Sequence, residues 1–137
     1  MASTIDNLRV KKSDFEVKKL IGKGRFGEIH VVRERATGHV YAMKTILKED
    51  ALPENNLCCY EEERDIMARS QSPWLTSLQY AFHDNQKLHL IMEYHPGGDF
   101  LSLMQAQGPF PEKKARIYIA EMICAVNDLH KMGYVHR

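Results

Sequence analysis

The sequence predicts an α+β fold, in which a five-stranded antiparallel meander with one inserted helix is followed by a helical segment. Two observations lead to this prediction. Runs rich in β-forming residues, separated by turn residues, dominate the first two thirds of the chain, and apolar residues at helical spacing dominate the remainder. The 137 residues, 44% hydrophobic and 27% charged, suit one globular domain of ordinary size.

The strands of the first half follow from their β-forming residues and the turns between them. A first strand is predicted over residues 13–21 and a second over residues 28–33, joined by the glycine-rich turn 22–27. The segment 36–38, Ala-Thr-Gly, marks another reversal, and residues 40–47 are rich enough in β-formers for a third strand.

A helix and two further strands complete the predicted sheet. Pro53 and the following asparagines interrupt the chain, after which residues 57–69 are predicted to be helical and to cover the sheet. Residues 75–82 and 88–94 are predicted as strands separated by the turn-forming pair Asp84-Asn85.

The last part of the chain is predicted to be helical. The segment 95–98, His-Pro-Gly-Gly, ends the strand pattern, and Asp99 is expected to cap a short helix that runs to about Gln107. A longer helix is predicted over residues 111–132, with Gly133 at its carboxyl end. Its apolar residues lie on more than one side, so this helix should be buried on more than one side in a complete lobe. The residues after it are too few to cover it, so we expect the chain as given to expose an apolar patch.

The chemistry of the chain is concentrated at its glycines and one lysine. Gly22, Gly24 and Gly27 allow backbone N–H groups to approach phosphate oxygens because no Cβ intervenes. Strand alternation places Ala42 and Lys44 on one face about 6.6 Å apart, so Ala42 can contact a flat ring while Lys44 reaches the attached phosphates.

Other interpretations of these residues remain open when each is taken alone. The same glycine spacing occurs in dinucleotide-binding domains, but there a helix follows the turn, whereas here a strand follows it. A hairpin turn with spare glycines and a solvated strand lysine are the simpler structural interpretations. Glu63 taken alone would be a solvated residue of a charged helix.

Together, these segments resemble a known family. The runs Ile21-Gly22-Lys23-Gly24-Arg25-Phe26-Gly27-Glu28-Ile29, Tyr41-Ala42-Met43-Lys44 and Glu61-Glu62-Glu63-Arg64-Asp65-Ile66-Met67 are similar to the amino-terminal lobe of protein kinases. The resemblance implies a protein-kinase-like fold, in which the glycine loop covers the triphosphate of ATP. It also implies that Lys44 contacts the α and β phosphates and that Glu63 pairs with Lys44.

The similarity continues through residues 90–99, which resemble the kinase hinge. It implies that Met92 is the gatekeeper, that the backbone of Glu93 and Tyr94 binds the adenine edge, and that Asp99 accepts hydrogen bonds from the ribose. The adenine ring would lie between Ala42, Ile29 and Phe100. The ATP-binding residues implied by the resemblance are Ile21, Gly22, Lys23, Gly24, Arg25, Phe26, Gly27, Glu28, Ile29, Ala42, Lys44, Met92, Glu93, Tyr94, Asp99 and Phe100, and the implied catalytic residues are Lys44 and Glu63.

Further segments, among them 14–17, 72–74, 79–82 and 92–99, are similar to the Rho-kinase, myotonic-dystrophy-kinase and citron-kinase group of AGC serine/threonine kinases, and most similar to the citron kinases. The implied domain organisation is an extension over 1–13 and a kinase domain over 14–137, divided into an amino-terminal lobe (14–94) and the hinge with the start of the carboxy-terminal lobe (95–137). The implied partners are ATP with Mg2+, a protein substrate, and a Rho-type GTPase bound by regions outside this sequence.

The carboxyl end limits the expected chemistry. Residues 134–137, Tyr-Val-His-Arg, resemble the start of the His-Arg-Asp catalytic loop, and the sequence stops before the aspartate. The catalytic Asp and the Mg2+ ligands are therefore expected beyond residue 137, so this fragment is not expected to catalyse phosphoryl transfer. The alternative is a non-catalytic, kinase-derived binding module or a pseudokinase, which would not need the glycines, Lys44 and Glu63 together.

Composition excludes several other classes of function. A formal net charge of +1 gives no electrostatic reason to expect nucleic-acid or membrane binding. The three cysteines do not suggest a disulfide framework, and the spacing of Cys and His residues matches no compact metal site. The amino terminus has no apolar signal-peptide segment, so we expect a cytoplasmic protein.

Overall fold

The structure, a computed structural model, describes residues 9–24, 27–51 and 54–136, with the backbone alone over 54–59. It divides into two units. The sheet unit contains the residues up to 69 together with Ser77–Tyr94, and the helical unit contains Ser70–Thr76 together with the residues from 95 onward. No helix among the described residues is long and apolar enough to cross a membrane.

The sheet unit contains the five predicted antiparallel strands, but their order differs from the prediction. The strands are β1 (Phe15–Gly24), β2 (Gly27–Glu34), β3 (Val40–Leu47), β4 (Leu78–His83) and β5 (Lys87–Glu93). Their order is β1-β2-β3-β5-β4, so the predicted simple meander is wrong. The long connection from β3 to β4 lets β4 take the sheet edge, whereas the short connection over residues 84–86 makes β4 and β5 a hairpin.

Each face of the sheet carries its own core. On the face that we call the back face, Phe15, Val32, Met43 and Ile91 form a buried cluster. On the opposite, front face, a second cluster consists of Ile46, Ala51, Tyr60 and Leu90. This arrangement follows from strand alternation, because neighbouring residues such as Leu90 and Ile91 point to opposite faces.

A bulge near Gln79 lets β4 contribute to both cores. The register shifts between Leu78, which lies opposite Met92, and Tyr80, which lies opposite Ile91. Leu78 therefore packs on the front cluster, while Tyr80 packs on the back cluster.

Two helices follow β3 in the sheet unit. The first, α1 (Lys48–Ala51), is a single turn that was not predicted, and it buries Ala51 in the front cluster. The second, α2 (Glu54–Arg69), confirms the predicted helix and starts three residues before the predicted residue 57. Tyr60 of α2 is buried in the front cluster, and Met67 packs against it. These contacts direct one side of α2 toward the sheet.

The helical unit contains α3 (Phe100–Gln107) and α4 (Glu112–Lys131), close to the predicted bounds. Asp99 caps α3 as predicted, and Gly133 follows α4 with a φ of 87°. Leu129 is the buried residue of α4, and several of its apolar side chains are exposed, as expected for the chain as given. The apolar side chains of α4 that are 43% to 62% exposed are Ile117, Ile119, Met122, Ile123 and Val126.

Candidate nucleotide site

An ion pair joins the third strand to the helix that covers the sheet. Lys44 Nζ donates to Glu63 Oε1 at 2.8 Å and to Oε2 at 2.6 Å. The side chain of Lys44 is 19% exposed and that of Glu63 is 39% exposed, so the pair is only partly screened by water. The predicted pairing of these two residues is therefore present as a bidentate contact.

Local structure explains why the two charges meet. Lys44 lies on β3 between Ala42 and Ile46, which are buried at 6% and 4% exposure, and all three residues point to the front face. Glu63 follows Tyr60 by three residues on α2, so it lies on the same side of that helix. Burial of Tyr60 therefore directs the Glu63 carboxylate toward the strand that carries the lysine.

Two rows of residues run across the front face beside this pair. In one row, Gly22 lies opposite Ile29, Ile29 opposite Lys44, and Lys44 opposite Leu90. In the next row, Val31 lies opposite Ala42 and Ala42 opposite Met92. The structure thus brings together six residues predicted to bind ATP or to act in catalysis: Gly22, Ile29, Ala42, Lys44, Glu63 and Met92.

The three glycines predicted to form the turn lie in strands, Gly22 and Gly24 on β1 and Gly27 at the start of β2, and their surroundings differ. Gly27 has a φ of +132°, and a Cβ placed on it would lie 2.0 Å from the Thr45 carbonyl oxygen. A Cβ on Gly24 would meet no atom of the described residues within 4 Å, and one on Gly22 would make an ordinary 3.5 Å contact with Ile29. Gly27 is therefore required by the fold itself, whereas Gly24 leaves its backbone open to an approaching group.

The other predicted residues of the turn are placed as follows. The side chain of Ile21 is 46% exposed. Lys23 lies opposite Glu28, and their charged atoms are 3.4 Å apart. Glu28 lies opposite Thr45 on the back face, so any contact of Glu28 with a nucleotide on the front face would use its backbone. The predicted residues Arg25 and Phe26 lie outside the described residues.

At the end of β5, the backbone N–H of Glu93, one of the groups predicted to bind adenine, already has a hydrogen-bond partner within the protein. The backbone N–H of Glu93 donates to the Ser77 carbonyl oxygen at 3.1 Å, and the Ser77 hydroxyl donates to the Glu93 carboxylate at 3.3 Å. A base edge bound here would therefore use the Glu93 carbonyl or the backbone of Tyr94, which is partly exposed. The adenine contacts stay a prediction.

Asp99 and Phe100 belong to the helical unit, and each has a structural role there. The Asp99 carboxylate accepts hydrogen bonds from the Ser102 N–H at 2.8 Å and from the Ser102 hydroxyl at 2.6 Å, and these bonds hold its pKa below the ordinary value. The ring centroid of Phe100 lies 5.5 Å from that of Phe110 and 4.9 Å from that of Tyr118. The ribose and adenine contacts predicted for Asp99 and Phe100 stay predictions.

Val31 is a residue of the site that was not predicted. It is 8% exposed and lies opposite Ala42, in the row that ends at Met92. Strand alternation could have identified it, because Val31 follows Ile29 by two residues and therefore shares its face.

Comparisons with known proteins identify the family of the chain. The family model for the protein kinase domain matches residues 15–137. Citron Rho-interacting kinase of Mus musculus is 51% identical over 131 residues, which cover 95% of this chain and 6% of the relative. The serine/threonine-protein kinase MRCK gamma of Homo sapiens is 44% identical over 98% of this chain and 9% of the relative. Myotonin-protein kinase of Mus musculus is 42% identical over 100% of this chain and 22% of the relative.

These comparisons confirm the predicted kinase resemblance and the group of relatives expected from the sequence. The chain spans 6% to 22% of the length of these three relatives. The family match covers most of the chain, from the first residue of β1 onward. The chain therefore belongs to the protein kinase domain family.

Proposed function

We propose that the sheet unit binds ATP and that the full-length protein transfers the γ-phosphoryl group of ATP to serine or threonine hydroxyls of a protein substrate. The observation that carries this proposal is the bidentate Lys44–Glu63 pair, which lies in the same region of the front face as Gly22. Phosphoryl transfer depends mainly on positioning and charge neutralisation, and a lysine fixed by a carboxylate supplies both.

The described residues suit a triphosphate and a flat base. Gly24 leaves its backbone open, and Lys44 offers a cation that Glu63 holds in place. The small side chain of Ala42, between Val31 and Met92, presents a flat apolar surface of the kind that a purine ring covers. Mg2+ would accompany the triphosphate and neutralise part of its charge, and we assign no ligand for it among the described residues.

The proposed partners follow from the relatives. The name of one reported relative identifies it as a Rho-interacting kinase, and that of another as a serine/threonine-protein kinase. We extend to the full-length form of this protein the use of ATP, a protein substrate and a Rho-type GTPase partner, and we place it in the cytoplasm.

The binding step can be tested on the chain itself by titrating Mg·ATP in a calorimeter. Lys44→Met should weaken Mg·ATP binding by about tenfold to a hundredfold, because a charge-assisted hydrogen bond is worth roughly 1.5–3 kcal/mol. Lys18→Met is the matched control, since Lys18 forms an exposed ion pair with Glu16 at 2.6 Å on β1. Equal affinity of both variants and the unchanged chain would refute a phosphate-binding role for Lys44.

The transfer step requires the full-length protein, a serine-containing peptide and a threonine-containing peptide. Kinase activity should be present and should be lost in Lys44→Met but retained in Lys18→Met. A full-length protein that binds Mg·ATP and labels neither peptide would instead support the pseudokinase alternative.

A further inference from the structure

His89 occupies an unusual place behind the proposed nucleotide site. It lies on β5 with 0% exposure, and its ring stacks on Phe82 with centroids 4.9 Å apart. Its Nδ1 lies 3.0 Å from the Thr45 hydroxyl, and its Nε2 lies 3.1 Å from the Asp84 carboxylate. Both ring nitrogens thus lie within hydrogen-bonding distance of a polar partner, as buried polar groups generally do.

The Asp84 carboxylate fixes the direction of these hydrogen bonds. An ionised carboxylate can only accept, so Nε2 of His89 carries the hydrogen, and in the neutral ring Nδ1 accepts from the Thr45 hydroxyl. Burial lowers the pKa of His89, although Asp84 opposes this effect, so the ring is neutral at pH 7. His89 therefore holds the Thr45 hydroxyl as a donor.

Asp84 is itself held firmly by the hairpin between β4 and β5. Its second carboxylate oxygen accepts from the N–H groups of Gln86 and Lys87 at 2.9 and 2.7 Å. The Gln86 carbonyl in turn accepts from the N–H of Lys48, directly after β3, at 2.8 Å. The hairpin thus holds the end of β3 at two points, through His89 at Thr45 and through Gln86 at Lys48.

Thr45 is the residue of β3 on which two parts of the site depend. Lys44 precedes it and points to the front face, toward Glu63. Gly27 packs directly against the Thr45 carbonyl, where a Cβ would lie 2.0 Å from the oxygen. A displacement of β3 at Thr45 therefore moves both the phosphate-binding lysine and the support of the glycine turn.

We propose, resting on the proposed ATP-binding function, that His89 is a positioning residue which fixes Lys44 and Gly27 by holding Thr45 from the back of the sheet. His89 does not touch the nucleotide; it acts through the strand between them. The hydrogen bonds carry this role, since an apolar side chain of the same size fills the volume but leaves Thr45 without an acceptor.

The first test compares two threonine substitutions. Thr45→Val removes the hydroxyl at nearly constant shape and should weaken Mg·ATP binding by more than about twofold and by at most about tenfold, because the free energy of one hydrogen bond is the upper limit of what positioning can transfer to binding. Thr37→Val is the matched control, because Thr37 also donates to a buried carboxylate, that of Glu34, but lies in the turn between β2 and β3. The control should change the affinity by less than about twofold.

The second test separates hydrogen bonding from packing. His89→Gln keeps one donor and one acceptor, whereas His89→Phe fills the space without either. Positioning through hydrogen bonds predicts tighter Mg·ATP binding by His89→Gln than by His89→Phe. A residue that only fills the core predicts the reverse order, and that result would overturn the proposal.

Amide hydrogen exchange decides the proposal independently of nucleotide binding. Thr45→Val should speed exchange at Lys44, at Thr45 and over residues 27–29, whereas Thr37→Val should not. If the unchanged chain fails to bind Mg·ATP, the proposed function fails, and this comparison alone decides the role of His89. Equal exchange at these amides in the two threonine variants would refute that role.

Discussion

Gly27 offers the most direct test of the structure, because its surroundings exclude any side chain. A Cβ on Gly27 would lie 2.0 Å from the Thr45 carbonyl oxygen and 2.9 Å from its carbon. Its φ of +132° adds backbone strain for any other residue. Strain of about 1–3 kcal/mol and overpacking of about 1–3 kcal/mol together predict that Gly27→Ala lowers the free energy of unfolding of the sheet unit by roughly 2–6 kcal/mol.

Gly24→Ala is the matched control, since a Cβ on Gly24 meets none of the residues that the structure describes within 4 Å and Gly24 has no positive φ. This substitution should leave stability unchanged or raise it by about 0.4–1 kcal/mol through the unfolded chain. Its effect should instead appear in weaker Mg·ATP binding, because the new methyl group lies where phosphate oxygens would approach.

Native-state hydrogen exchange of the Leu90 and Ile91 amides measures the two effects, because both residues are fully buried in the sheet unit. Gly27→Ala should speed their exchange by about twentyfold or more, given that 1.4 kcal/mol corresponds to a factor of ten. If Gly27→Ala fails to fold and Gly24→Ala folds, that result would also support the steric argument. Equal protection in the two glycine variants would refute the steric argument.

Three further predictions concern other parts of the molecule. Burial lowers the pKa of His89 in the folded chain, so the unfolded chain binds a proton there at a higher pH, near 6.5. Stability should therefore fall as the pH drops below about 6.5, and urea titrations of His89→Gln should lack that component. In the helical unit, the Ser72 hydroxyl donates to the Asp128 carboxylate at 2.6 Å. Ser72→Ala should therefore destabilise segment 70–76 by about 1 kcal/mol, measured by amide hydrogen exchange. The control Ser102→Ala should leave the exchange of that segment unchanged. The exposed apolar side chains of α4 should bind a hydrophobic dye. Met122→Glu should reduce the fluorescence of the bound dye, whereas the control Glu121→Gln should not. An unchanged signal in Met122→Glu would contradict dye binding at this helix.

The strands and helices were predictable because each carries its own periodic pattern. Lys44 and Ala42 share a face by alternation alone, and Asp99 precedes α3 as a residue that caps helices well. The Lys44–Glu63 pair needed the family resemblance, because neither residue alone distinguishes a ligand from a solvated charge. That resemblance located the pair correctly across nineteen positions of sequence.

Strand order and the role of His89 could not be predicted, because they depend on contacts between segments far apart in sequence. No local sequence pattern predicts that β3 pairs with β5 and not with β4. Nothing in the sequence of β5 distinguishes His89 from an ordinary strand residue, and its partner Thr45 lies 44 residues earlier. The bulge near Gln79, which divides Leu78 and Tyr80 between two cores, likewise appears only when β4 pairs with β5.

Gly27 and His89 are linked because both act on Thr45, one at its carbonyl and the other at its hydroxyl. If β3 could retreat from Gly27, a methyl group there would cost less, but His89 and the hairpin hold the strand in place. Removing the Thr45 hydroxyl frees the strand to move. The losses in the free energy of unfolding caused by Gly27→Ala and Thr45→Val should therefore not add. The double variant should be destabilised by less than the sum of the two single variants. Strict additivity in hydrogen exchange would mean that the back of the sheet does not control the glycine turn.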